Sequence, residues 1–213
     1  MIFISLLLFV SVLNASEALT RKIFHEINSV STDKASVDRI WRKIIDNNLD
    51  MNSFKQDDVT TLMMLACNRD RIDLIKMLAY TGAFINHSLF EMVERSSNLN
   101  EEQKLRISGV LKEQQLFQHI KQDNLNSYLA QINGNDKVSL TCTDYKRRTL
   151  LHVALYYGRI LMIKDLIKRK PNISIKDDFK KSTRNILDEL TAKKIIQRQF
   201  EQLQQRMLLT IYK

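Results

Sequence analysis

The stretch RRTLLHVALYYG, from Arg147 to Gly158, sets one histidine inside an apolar run that ends in two tyrosines. A histidine can serve a nucleophile as general base, ligate a metal, or bridge two backbone groups in a half-buried place. Catalysis would need a nucleophile or a carboxylate at an interpretable spacing from His152, and none is present. The other histidines, His25, His87 and His119, are scattered, with no HExxH pair and no Cys/His cluster to hold a metal. Gly82, Gly109, Gly134 and Gly158 are too far apart to form a phosphate-binding loop. The expectation is no catalytic, metal or cofactor site, no enzyme, and a structural role for His152.

A different chemistry lies in the charge. Between Lys146 and Arg184 there are twelve Lys or Arg against Asp165, Asp177 and Asp178, an excess of nine that equals the formal net charge of +9 for the whole chain. A basic region localised in this way is an electrostatic footprint for an acidic partner. Its tyrosines and arginines are the residue types that dominate interface energies. The strip 146–184 could instead bind nucleic acid or anionic lipid, which would show as strong salt dependence.

The elements that must position these residues are helices. The 213 residues include only four glycines and one proline, Pro171, too few breakers for the turns of an all-β chain. Leu, Ile, Lys, Gln and Glu are plentiful and mostly favour helix. The segment TTLMMLACNRDRIDLIKMLAYTGAFIN (Thr60 to Asn86) aligns without a gap to RTLLHVALYYGRILMIKDLIKRKPNIS (Arg148 to Ser174). Thr61 falls on Thr149, Met64 on His152, Ala66 on Ala154 and Leu78 on Leu166. Apolar residues recur at helical spacing in two blocks split at Asn68–Arg71 and Tyr156–Arg159, which predicts two helix-turn-helix copies.

Thr149-Leu150-Leu151-His152-Val153-Ala154 resembles the T-P-L-H-x-A signature of the ankyrin-repeat family, with Leu in place of proline. Asp144 opens this copy, and Asp177 follows at the family's period of 33 residues, in DDFKKST. The resemblance implies an all-α ankyrin-repeat solenoid of about five repeats, with degenerate middle and terminal repeats. The best copies span 56–88 and 144–176, within a repeat domain over 19–190. Val37–Asn52 and Asp123–Ser139 read as second helices with exit loops, and Ser88–Ser96 and Gln114–Gln122 as first helices of compressed middle repeats. Ile196, Phe200, Leu203, Met207 and Ile211 share one face of a helix over 191–213, expected to cap the array.

The resemblance also assigns residues. Thr149 starts the first helix, and His152 packs beneath it to bond a finger loop. A non-enzymatic, monomeric protein-binding module is implied, with the finger residues Tyr145, Lys146, Arg147 and Arg148 and the helix-end residues Tyr156, Tyr157 and Arg159 on its working surface. Asn68, Arg69 and Arg71, at the matching positions of the earlier copy, extend that surface.

The apolar run Ile2–Leu13 followed by Ser16-Glu17-Ala18 reads as a signal peptide over 1–18, too short to make a stable transmembrane span, so the protein is expected to be exported. Cys67 and Cys142 fall more than two repeats apart, beyond the reach of a disulfide, and are expected as thiols. Thiols in an exported protein suit a reducing compartment, such as the host-cell cytosol into which intracellular bacteria deliver ankyrin-repeat proteins. Asn86-His87-Ser88 and Asn172-Ile173-Ser174 match the short glycosylation pattern, which arises by chance too often to weigh here.

Overall fold

The computed structural model describes residues 18–19, 21–23, 25–26, 34–49, 52, 61–134 and 138–191. Among these the regular structure is helical: α1 (Lys34–Asp46), α2 (Leu62–Asn68), α3 (Ile72–Thr81), α4 (His87–Arg95), α5 (Glu101–Lys121), α6 (Leu125–Ile132), α7 (Leu150–Tyr156) and α8 (Ile160–Lys168). A further helical stretch covers 183–191. The expected all-α repeat fold is observed, and no strand forms among the described residues. Apart from Ala18 and Thr191, the leader over 1–18 and the helix over 191–213 lie outside the described residues. No helix among the described residues is long and apolar enough to cross a membrane.

The chain divides into two compact units. Unit 1 comprises Met1–Gln118 with Asn135–Val138, and unit 2 comprises His119–Gly134 with Ser139–Lys213.

In unit 1, α2 begins where the Thr61 hydroxyl accepts the Met64 amide at 3.2 Å, satisfying one of the donors that a helix start leaves unpaired. The turn that follows it is set by Asp70, which takes a left-handed φ of 52°, so that the amides of Asp70 and Arg71 return to the carbonyls of Cys67 and Ala66 at 2.9 Å. The chain then enters α3 directly. Leu62, Met63, Ala66 and Cys67 are buried against α3, whose own buried residues include Leu74, Ile75 and Leu78. Each large apolar side chain buried in this way contributes about 1.5–3 kcal/mol, and that packing rather than helix propensity holds elements this short. Cys67 is fully buried, which pushes its thiol up to about 12, and no disulfide joins it to Cys142.

The middle of the chain departs from expectation. Gln114–Gln122 does not form a separate first helix, because α5 runs unbroken from Glu101 to Lys121. Its start is fixed by a reciprocal cap: Gln103 N–H donates to Asn100 Oδ1 and Asn100 N–H donates to Gln103 Oε1, both at 2.9 Å. After that no breaker intervenes except Gly109, which a helix tolerates at modest cost. The end of α5 nevertheless keeps the expected turn. Asp123 has φ 59°, and Asn124 N–H returns to His119 O at 2.9 Å, as at Asp70.

In unit 2, α7 and α8 repeat the α2–α3 arrangement in the register of the sequence alignment. Gly158, with φ 66°, stands where Asp70 stands, and Arg159 N–H returns to Ala154 O at 2.9 Å. From α6, the buried Tyr128 donates its hydroxyl to Asp165 Oδ2 on α8 at 2.8 Å. Burial first, then that bond, push the phenol well above its ordinary range. Burial alone would raise the Asp165 carboxyl, but the bonds from Arg169 and Tyr128 outweigh it and hold the group below the usual carboxylate range.

Candidate functional site

Two finger loops in unit 2 are built on buried aspartates. Asp144 Oδ1 accepts the amides of Lys146 at 2.9 Å and Arg148 at 3.0 Å, while Oδ2 accepts Nε and Nη2 of Arg148 at 2.9 and 2.7 Å. Short acidic side chains stabilise tight loops by taking local amides in this way. The loop closes through Asp144 N–H to Arg148 O at 3.0 Å and Arg147 N–H to Asp144 O at 3.1 Å, leaving Arg147 at the tip with φ 57°. One period later Asp177 Oδ1 accepts the amides of Phe179 and Lys181, each at 2.9 Å, and Lys180 holds the tip with φ 61°. The fingers are tied together by Asp178 N–H donating to Lys146 O at 3.0 Å.

His152 links the first helix to the second finger. The Thr149 amide, which can only donate, lies 3.2 Å from Nδ1, so Nδ1 accepts and Nε2 carries the proton. Nε2 then donates to Lys181 O at 3.1 Å. His152 is 1 % exposed, and that burial lowers its pKa even though the Lys181 carbonyl, Asp177 and Asp144 oppose the shift. One period later Ser182 and Asn185 cap the 183–191 helix reciprocally, as Thr149 and His152 do for α7: Ser182 N–H donates to Asn185 Oδ1 at 3.1 Å, and Asn185 N–H to Ser182 Oγ at 3.3 Å. The Ankyrin repeat family model matches residues 146–175. The chain carries an ankyrin repeat. A comparison with curated proteins finds no match.

Around this ankyrin repeat the expected surface residues separate into two kinds. Arg148 forks onto Asp144 and lies 5.6 Å from the Tyr156 ring, so its charge is already used inside the finger. Arg159 donates through Nε to Ile120 O at 3.1 Å and through Nη2 to Lys121 O at 2.6 Å, and pairs with Asp123 at 3.3 Å. It closes the carbonyl end of α5, where a cation is favoured. Beside the finger base, burial pulls the Lys121 amine down to about 8, opposed by Asp144 and assisted by Arg148.

Tyr145 and Lys146 are half-buried, with the Lys146 amine 5.0 Å over the Tyr145 ring. Arg147 is exposed, as are Tyr156 and Tyr157, whose rings meet edge to face at 5.2 Å. Asn68, Arg69 and Arg71 belong to unit 1. There Arg71 is buried and donates twice to Asp73, Asn68 accepts from Ser96 Oγ at 3.3 Å, and Arg69 is exposed.

A groove of about 530 Å³ opens beside the second finger, lined by the apolar side chains of Leu155, Tyr156, Phe179, Ile186 and Leu190 together with Arg148, Asp177 and the ion pair Lys181–Glu189. Tyr156 is 73 % exposed and Phe179 70 %. Phe179, Ile186 and Leu190 were not anticipated as surface residues. The signal for Phe179 was the second finger itself, since Asp177 one period after Asp144 puts Phe179 in the place of Lys146 and Lys180 in the place of Arg147.

Proposed function

We propose that the chain is an exported, monomeric, non-enzymatic interaction module that binds an acidic partner protein through unit 2. The ankyrin repeat suggests protein–protein interaction. The observation that carries the finer reading is the outward pair Tyr156 and Phe179 over a mainly apolar groove, next to the fingertip cations Arg147 and Lys180. Exposed aromatics around a small apolar recess supply anchoring energy, and the uncompensated positive charge supplies steering and choice of partner. Export is supported by the apolar run Ile2–Leu13 followed by Ser16-Glu17-Ala18, and the lack of a disulfide between Cys67 and Cys142 suits work in a reducing host-cell compartment.

The test is affinity capture on the full-length chain against a variant carrying Arg147→Glu, Tyr156→Ala and Phe179→Ala. The partner held by the first should be lost from the second while circular dichroism is unchanged; equal retention removes the face. Export is checked by mass spectrometry of the amino terminus. A chain starting at Leu19 outside the producing cell supports it, and an intact Met1 in the cytosol ends it.

Binding of nucleic acid or anionic lipid by 146–184 is the second reading, favoured by the same excess of charge. Arg148, Arg159, Arg169 and Lys181 hold ion pairs with Asp144, Asp123, Asp165 and Glu189, which leaves fewer cations for phosphate. A flat salt titration would remove this reading.

A further inference from the structure

Arg147 and Lys180 occupy equivalent tips. Each is exposed, each is left-handed (φ 57° and 61°), and neither meets an acidic side chain among the described residues. The fingers that carry them are joined by the Asp178–Lys146 backbone bond. At the spacing of packed helices the tips then stand about 10 Å apart. An extended peptide in the polyproline II conformation advances about 3.1 Å per residue and completes a turn in three, so carboxylates three residues apart share a face about 9 Å apart and would meet both cations.

The adjoining groove is mainly apolar, with Tyr156 and Phe179 as its most exposed walls, and suits one apolar side chain of the same peptide. Charge argues against the chain's own material there. A second copy is as basic as the first, and residues 192–213 carry Lys193, Lys194, Arg198, Arg206 and Lys213 against Glu201.

We propose that unit 2 recognises its partner as an extended acidic segment, with carboxylates three residues apart on Arg147 and Lys180 and one apolar side chain seated by Tyr156 and Phe179. This rests on the protein-binding reading above and narrows it.

Fluorescence anisotropy on the full-length chain tests it with labelled peptides of about twelve residues, enough to cross both fingers. One has Glu at every third position, Ser between and a single Leu; another has the same composition with contiguous Glu; a third has Gln for Glu. The spaced peptide should bind about tenfold more tightly than the other two. Arg147→Glu with Lys180→Glu should erase that preference, and Phe179→Ala should weaken the spaced peptide while keeping the ranking.

Equal affinity for spaced and contiguous peptides overturns the proposal, as does absence of binding by all three. If capture of the protein partner still depends on Arg147, Tyr156 and Phe179, the broader reading survives that failure. Equally tight binding of a deoxythymidine oligomer or phosphatidylserine vesicles, lost on charge reversal, would assign the tips to phosphate and also overturn the proposal.

Discussion

The α2–α3 hairpin of unit 1 and the α7–α8 hairpin of unit 2 share a capping threonine, a left-handed turn residue and two backbone closures at the same positions. Their polar side chains are used differently. Arg71 donates to Asp73 two residues away, and Arg159 donates to the carbonyls of Ile120 and Lys121, 39 and 38 positions earlier. Met64 is apolar where His152 bridges Thr149 and Lys181. Asn68 and Arg69 stand where Tyr156 and Tyr157 stand. A shared backbone therefore sets the hairpin, and a few side chains decide whether it also joins a finger and offers an aromatic surface.

The largest way to break the contrast is Asp144→Ala, which removes the acceptor for two amides and the Arg148 fork from a buried site. A loss of about 3 kcal/mol in urea-monitored stability of unit 2 is expected. Importing the unit 1 residue through His152→Met should cost about 2 kcal/mol, because Lys181 O and the Thr149 amide lose their partner. A loss below experimental error would mean that the bridge is dispensable.

A smaller effect comes from titration. Unfolded, His152 titrates near 6.5, and folded it titrates lower because it is buried, with Asp177, Asp144 and Arg148 as the charges around it. Between those values the unfolded chain holds more protons, so stability falls as the pH drops below about 6.5 and levels off below the folded pKa. Burial lowers His119 as well and adds a slope of the same sign. The expected outcome is a shallower acid dependence of the urea midpoint in His152→Met than in the native chain. The smallest effect belongs to the turn. Gly158→Ala meets no atom within 4 Å but places a side chain at φ 66°, costing about 1 kcal/mol. Gly158→Asn should cost less, since Asn tolerates that region.

The hairpins, their turns and the Thr149–His152 cap were legible in the sequence because each depends on bonds within one period or to the next. The unbroken α5 was less so. Its signals are the Asn100-x-x-Gln103 box and the lack of a breaker, which compete with a period that calls for a helix start near Gln114. The arginines were the least legible. Whether a guanidinium faces solvent or caps carbonyls some 38 residues away depends on which helix end the fold brings within its reach, and local spacing carries no trace of that. The groove was hidden for a similar reason, since Leu155, Phe179 and Ile186 converge only once the second finger and the 183–191 helix are in place.

The left-handed fingertips have a practical consequence. Each exposed tip cation is followed directly by a second one, as Arg147-Arg148 and Lys180-Lys181, so both loops present dibasic bonds of the kind trypsin cuts at exposed loop tips. A ligand lying across the tips would shield both bonds together, and the rate of nicking at these two places would report occupancy of the fingers without any label.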